Sequence, residues 1–219
     1  MPRFHSLILT LAGSDLNERH GQSCPLHMAA QRGHVDILRF LLDSGAEAVD
    51  DGQGRSALHC AAALGRLEAV QFLASHNDGK TFPIATLSGG SSILHRAAAA
   101  VRRLACIARI GKGLTRTQGK HHVVAWALKQ GLLPEASTDN GFTALHLALL
   151  RGWPRTIHVL LTSMPDPAAQ LAQRTSEGAS AFLLAVAMGY VPLAQWVRST
   201  GADINATNAR GEGAVLIVR

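Results

Sequence analysis

The sequence predicts an all-α fold: a solenoid of stacked helix–turn–helix units joined by short hairpin turns. Composition is the first reason. The 219 residues are 47% hydrophobic and 16% charged, a globular balance, yet only 5% aromatic with a single Tyr. Dominance of Ala and Leu favours helices that approach closely through small side chains over a β-sandwich. The second reason is internal repetition. The strings 24–30 (CPLHMAA), 56–62 (SALHCAA), 92–98 (SILHRAA) and 143–148 (TALHLA) are versions of one pattern. A weaker copy spans 180–185 (SAFLLA), and 213–217 (GAVLI) begins another. Aligned on Leu26, Leu58, Leu94, Leu145, Phe182 and Val215, the steps are 32, 36, 51, 37 and 33 residues.

Each element of the unit has a local cause. Ser56, Ser92, Thr143 and Ser180 stand where a hydroxyl caps a helix N-terminus, and Pro25 suits a first turn that has no amide hydrogen to lose. The Leu and paired Ala that follow let the first helix pack tightly. In the second helix Val35, Leu38, Leu41 and Leu42 form an apolar stripe at helical spacing. Gly45, Gly131 and Gly201 stop that helix where a left-handed residue is wanted. Pro154 and Pro192 lie near the start of second helices, where Pro is tolerated. No unit can bury its apolar face alone, and stacking on a neighbour solves this.

These features together resemble the ankyrin repeat, with its T-P-L-H-x-A signature and period of roughly 33 residues. The segment Gly33–Gly45 matches the family's second helix and terminating glycine. Residues 201–205 (GADIN) match the close of a repeat, and 13–17 (GSDLN) are a looser copy. The resemblance divides 1–219 as one array: a partial repeat 1–17, repeats 18–49, 50–84, 85–136, 137–173 and 174–206, and a partial repeat 207–219. On this reading the sequence is cut mid-repeat at both ends and is a piece of a longer protein. A monomer is expected, with the apolar ends offering a dimer contact as the alternative.

Two irregularities stand out. The 51-residue step holds 18 extra residues, 101–118, whose removal restores 33. Residues 74–90 and 162–178 lengthen their steps slightly and read as longer turns between repeats. The insert also explains the charge. Of a formal +6, it supplies Arg102, Arg103, Arg109, Lys112 and Arg116 with no acid, leaving 16 basic against 15 acidic residues elsewhere.

The motifs exclude most chemistry. His27, His59, His95 and His146 recur once per repeat, and the resemblance implies hydrogen bonding within and between repeats, not metal ligation. Adjacent His121 and His122 cannot share one helix face. Gly111-Lys112-Gly113 lacks the spacing of a phosphate-binding loop, and no nucleophile elbow or HExxH is present. No enzyme, cofactor or metal is expected. Cys24, Cys60 and Cys106 form no CxxC pair and point to a reducing, intracellular setting, cytoplasmic rather than nuclear. The apolar run near the N-terminus is too short to span a membrane.

The resemblance implies a non-catalytic scaffold that binds another protein through a concave face. Carried over by position, the turn-tip residues are His20, Gln53, Arg55, Ser91, Asp139, Asn140, Phe142 and Glu177. The helix positions four and five after the motif histidine, or its counterpart Leu183, are Gln31, Arg32, Ala63, Leu64, Leu150, Arg151, Ala187 and Met188. Alternatives are a targeting or regulatory fragment of a channel, ubiquitin-ligase receptor or kinase, and nucleic-acid or acidic-partner binding through 101–118. Nucleic acid is not the expected partner. The family also undergoes asparagine hydroxylation, which would fall on Asn17 and Asn205.

Overall fold

The computed structural model describes residues 16–18, 21, 23–76, 92–99, 120–164, 166–199 and 203–214, excluding the side chains of Leu193 and Val197. Residues 1–15 of the partial repeat and the insert 101–118 lie outside the described residues, as do His20 and Ser91. The chain divides into two compact units, Met1–Ile84 and Ala85–Arg219.

In the first unit, α1 (Pro25–Arg32), α2 (Val35–Asp43), α3 (Ala57–Ala63) and α4 (Leu67–Ser75) form two helical hairpins. First helix α1 packs on first helix α3, and second helix α2 on α4. Leu26, Leu38, Leu41, Leu58 and Leu73 are fully buried between them. At the edge of this core the Arg39 guanidinium lies over the Phe72 ring, 5.2 Å from its centre.

The second unit holds α5 (Ile93–Ala99), α6 (Lys120–Lys129), α7 (Ala144–Arg151), α8 (Pro154–Thr162), α9 (Pro167–Ala172), α10 (Ala181–Ala187) and α11 (Val191–Ser199). First helices α5, α7 and α10 stack in order, and second helices α6 and α8 pack behind them. Leu94, Leu145, Leu149, Leu160 and Leu183 fill this core. Alanine at the remaining contact positions, among them Ala97, Ala98, Ala144 and Ala148, lets the first helices approach closely.

Three of the four expected hydroxyl caps are seen among the described residues. Ser56, Thr143 and Ser180 accept the amide hydrogens of His59, His146 and Leu183, and Pro25 and Pro154 occupy first turns. The extra length at 162–178 is not simply a longer turn: it folds into α9. Asp166 starts that helix by accepting the amides of Ala168 and Ala169, and Pro167 fits its first turn. Cap, proline and an Ala-rich run together satisfy a helix, which outcompetes open loop at that length.

Candidate interaction surface

The turns between repeats share one construction. Asp51, Thr138, Thr175 and Asn208 each donate an amide hydrogen to the carbonyl four residues on, closing a hairpin. Three residues on stand Gly54, Gly141, Gly178 and Gly211, with φ of 68°, 72°, 74° and 75°. That left-handed conformation strains any residue with a Cβ. The opening side chain stabilises the turn from inside: Thr138 and Thr175 hydroxyls accept the amides of Phe142 and Ala179. Asp51 does the same for Gln53 and Arg55, and Asn208 for Arg210 and Glu212.

In the second unit these turns lock edge to edge. Ser176 donates its amide hydrogen to the Asn140 carbonyl at 3.2 Å, and Ala209 to that of Glu177 at 2.8 Å. A Cβ on Gly141 would meet the Ser176 nitrogen at 2.8 Å, and one on Gly178 the Ala209 nitrogen at 2.7 Å. Asp139, Asn140 and Glu177 are thus exposed on a row of tips whose backbone spacing is set by hydrogen bonds.

Three motif histidines, His27, His95 and His146, tie their first helix to the next turn. Nε2–H donates from His27 to the Arg55 carbonyl at 2.9 Å, and from His146 to that of Gln173 at 3.2 Å. His95 reaches the carbonyls of Ala136 and Phe142, at 3.0 and 3.1 Å, and so grips both arms of its turn. On the other side of the ring, Nδ1 of His146 accepts the Thr143 amide hydrogen, and that of His95 the Ser92 amide hydrogen. A ring nitrogen that accepts an N–H carries no proton, so both imidazoles are neutral. Burial drives His146 down to about 4 against a partial counter-pull from the Gln173 carbonyl, and lowers His95 as well.

One repeat departs from this rule. Cys24 stands where the others carry a hydroxyl, with Sγ 2.9 Å from Nδ1 of His27. Burial alone would raise the thiol and lower the imidazole, but their mutual hydrogen bond and charge reverse both shifts. Both side chains are buried, so the pair joins helix to turn as its counterparts do.

The positions expected to meet a partner separate into two groups. Arg32, Gln53, Leu64, Asp139, Asn140, Arg151, Glu177, Ala187 and Met188 are exposed. Leu64 and Met188 are large apolar side chains left 47% and 44% exposed where their helices end. Gln31, Arg55, Ala63, Phe142 and Leu150 are half-buried. Arg55 is committed to the fold: its guanidinium pairs with buried Asp51 at 2.6 Å, while its carbonyl accepts from His27. Burial pushes the Asp51 carboxyl up, yet bonds from Arg55 and the Gln53 amide hold it below the usual range. Phe142 packs its ring edge-on to His146, 6.4 Å away. Sequence reasoning missed Asp51, although an acid four residues before Arg55 was the available signal. Of the asparagines, Asn205 is exposed, whereas the side-chain oxygen of Asn17 accepts the Glu47 amide hydrogen. Among the described residues no cluster of metal-ligating side chains occurs, and no helix is long and apolar enough to cross a membrane.

The repeated sequence behind these helices and turns is matched by a known family. A family model for ankyrin repeats in three copies matches residues 3–86 and 115–208. This chain belongs to the ankyrin-repeat family. The gap between the two matched ankyrin spans includes most of the insert, 101–114. A probable E3 ubiquitin-protein ligase, XBOS32 of Oryza sativa subsp. japonica, is 29% identical over 169 residues, 72% of this chain and 33% of that protein. The FYVE zinc finger domain protein UPA1 of Mycosarcoma maydis is 43% identical over 54 residues, 24% of this chain and 4% of that protein. The chain therefore spans about a third of the rice relative's length.

Proposed function

We propose that the protein is a non-catalytic scaffold that binds another protein through its first-helix ends and turn tips. The observation that carries this reading is that one repeat position, five residues after the motif histidine or its counterpart, is exposed throughout the described residues: it holds Arg32 and Leu64 in the first unit and Arg151 and Met188 in the second. Apolar side chains held open by rigid helices and flanked by Arg are what a protein interface uses for anchoring. The turn tips Asp139, Asn140 and Glu177 add polar contacts on a backbone that needs no reordering, which limits the entropy lost on binding. Family membership supports the same role, and binding is stoichiometric, without turnover.

The test is proximity labelling in cells with wild type, Leu64→Glu, Arg151→Glu and Met188→Glu, each checked for folding by circular dichroism. Each variant is expected to lose labelled proteins that wild type retains. An unchanged set in all three would remove the surface from consideration.

The likeness to a probable ubiquitin ligase supports a second reading, in which the array is the recognition arm of a larger protein. Ubiquitin conjugation on the labelled proteins, dependent on the full-length transcript, separates this from simple scaffolding.

A further inference from the structure

The second unit has a second surface, away from the turn tips. Helices α8 and α11 leave a groove of about 480 Å³ between them. Its walls are Ile157, His158 and Leu161 from α8, and Tyr190, Pro192 and Trp196 from the other side. Trp196 remains 39% exposed. Tyr190 fixes one end, because its hydroxyl occupies the space a Cβ on Gly152 would need, and Gly152 itself has φ of 67°.

Charge around this groove is one-sided. Every Asp and Glu between residues 92 and 214 lies in a turn or loop: Glu135, Asp139, Asp166, Glu177, Asp203 and Glu212. No helix of the described second unit carries an acid. The second helices instead carry Lys120 and Lys129 on α6, Arg155 on α8 and Arg198 on α11. Arg155 is exposed and directly follows groove residue Pro154, and Arg198 is exposed on the helix that carries Trp196. Asp166, the acid nearest in sequence to α8, is turned to the first amides of α9.

We propose that this groove docks an amphipathic helix of a partner protein whose apolar stripe faces Trp196 and Ile157 and whose flanks are acidic. The apolar lining fits a helix-in-groove mode, and the cationic, acid-free second helices select the sign of the partner's charge. A second copy would set basic helix against basic helix. The insert 101–118 has the wrong sign for the same reason. This surface adjoins the ends of α7 and α10 at Gly152 and Tyr190 but is lined by neither Arg151 nor Met188, so it extends the proposed function and does not depend on it.

The probe is a fluorescein-labelled synthetic helix of about 18 residues, with a Leu/Phe stripe and Glu elsewhere, against a twin in which Lys replaces Glu. Anisotropy titrations use the whole chain. The Glu helix is expected to bind and the Lys helix to bind at least ~10-fold more weakly. Trp196→Ala weakens the Glu helix ~10-fold, and the paired change Arg155→Glu with Arg198→Glu reverses the preference between the twins. Gln71→Glu, at an exposed position of the first unit, leaves both affinities unchanged. Trp196 and Arg155 are exposed, and a retained melting midpoint verifies that their variants fold. Equal binding of the twins, or binding insensitive to Trp196→Ala, overturns the proposal. So does any of three other occupants: a dimer in sedimentation velocity that Trp196→Ala dissociates, tighter Glu-helix binding when residues 215–219 are removed, or phosphatidylserine vesicles that outcompete the Glu helix.

Discussion

At the scale of single residues, the motif histidines explain why this fold depends on pH. His146 is fully buried, with Nδ1 accepting an amide hydrogen and Nε2–H donating to a carbonyl. Protonation would break the first of these bonds and place a charge in the core. Its folded value of about 4 lies below the ordinary 6.5, so the unfolded chain takes up a proton first as pH falls. The contribution of His146 is complete above pH 6.5 and declines between 6.5 and 4, by on the order of 2–3 kcal/mol. His95 acts in the same direction. His27 acts in the opposite one, because its pairing with Cys24 raises it. Urea titrations at pH 7.5 and pH 5 are expected to show lower stability at pH 5. In His146→Gln the stability is lower at pH 7.5 and the difference between the two pH values shrinks. A wild-type midpoint independent of pH would contradict the neutral relay.

At the scale of elements, the inter-repeat turn is where sequence tolerance ends. Gly178 needs its left-handed backbone and also makes room for the Ala209 nitrogen of the next turn. Gly211 has the same φ within a degree, 75° against 74°, but none of the described residues lies within 4 Å of where its Cβ would stand. The pair separates two costs. Gly211→Ala loses about 1 kcal/mol from backbone strain alone. Gly178→Ala loses about 2 kcal/mol or more, because the turn-to-turn hydrogen bond must also shift. Chemical denaturation of the two variants checks this, and equal losses would mean that the turns do not lock to one another. The α9 helix matters here too. Despite the extra residues in its connection, it delivers the Gln173 carbonyl to His146, so the register between repeats survives the lengthening.

At the scale of the whole molecule, stability in a repeat array is a sum over units and their nearest-neighbour contacts. Residues 101–118 add chain to the α5–α6 connection without being needed for the period. Deleting them joins those helices at the ordinary spacing and shortens a closed loop, an entropic gain of about 1 kcal/mol or less. The deletion is expected to keep the helical circular-dichroism spectrum and to hold or raise the melting midpoint. A collapse of helicity would show that the insert is part of the fold. The same deletion lowers the formal charge from +6 to +1, because it removes five cations and no acid. It leaves the basic second helices of the second unit intact, so binding of the acidic test helix is expected to persist.

How much was legible in advance follows from the range of the forces involved. Caps, first-turn prolines and left-handed glycines are local, and the apolar stripe of each helix repeats with the helical period. Ser56, Thr143, Pro25, Gly45 and Leu38 therefore announced their roles in the sequence, and four Leu-His copies in register announced the family. Exposure at the partner-facing positions was less legible. Arg55 and Phe142 occupy the same class of turn as Gln53 and Asp139, yet one is drawn to buried Asp51 and the other rests against His146. The groove between α8 and α11 was not legible at all. Ile157 and Leu161 read as an ordinary core stripe, and only the packing of second helices decides whether a neighbour covers it. The sequence by itself determined the repeat and the helix ends, because these depend on residues close in the chain or on a motif that recurs along it. Tertiary structure alone decided which side chains stay open to a partner and on which face the charge is one-sided, because both depend on distances between units that the chain order does not encode.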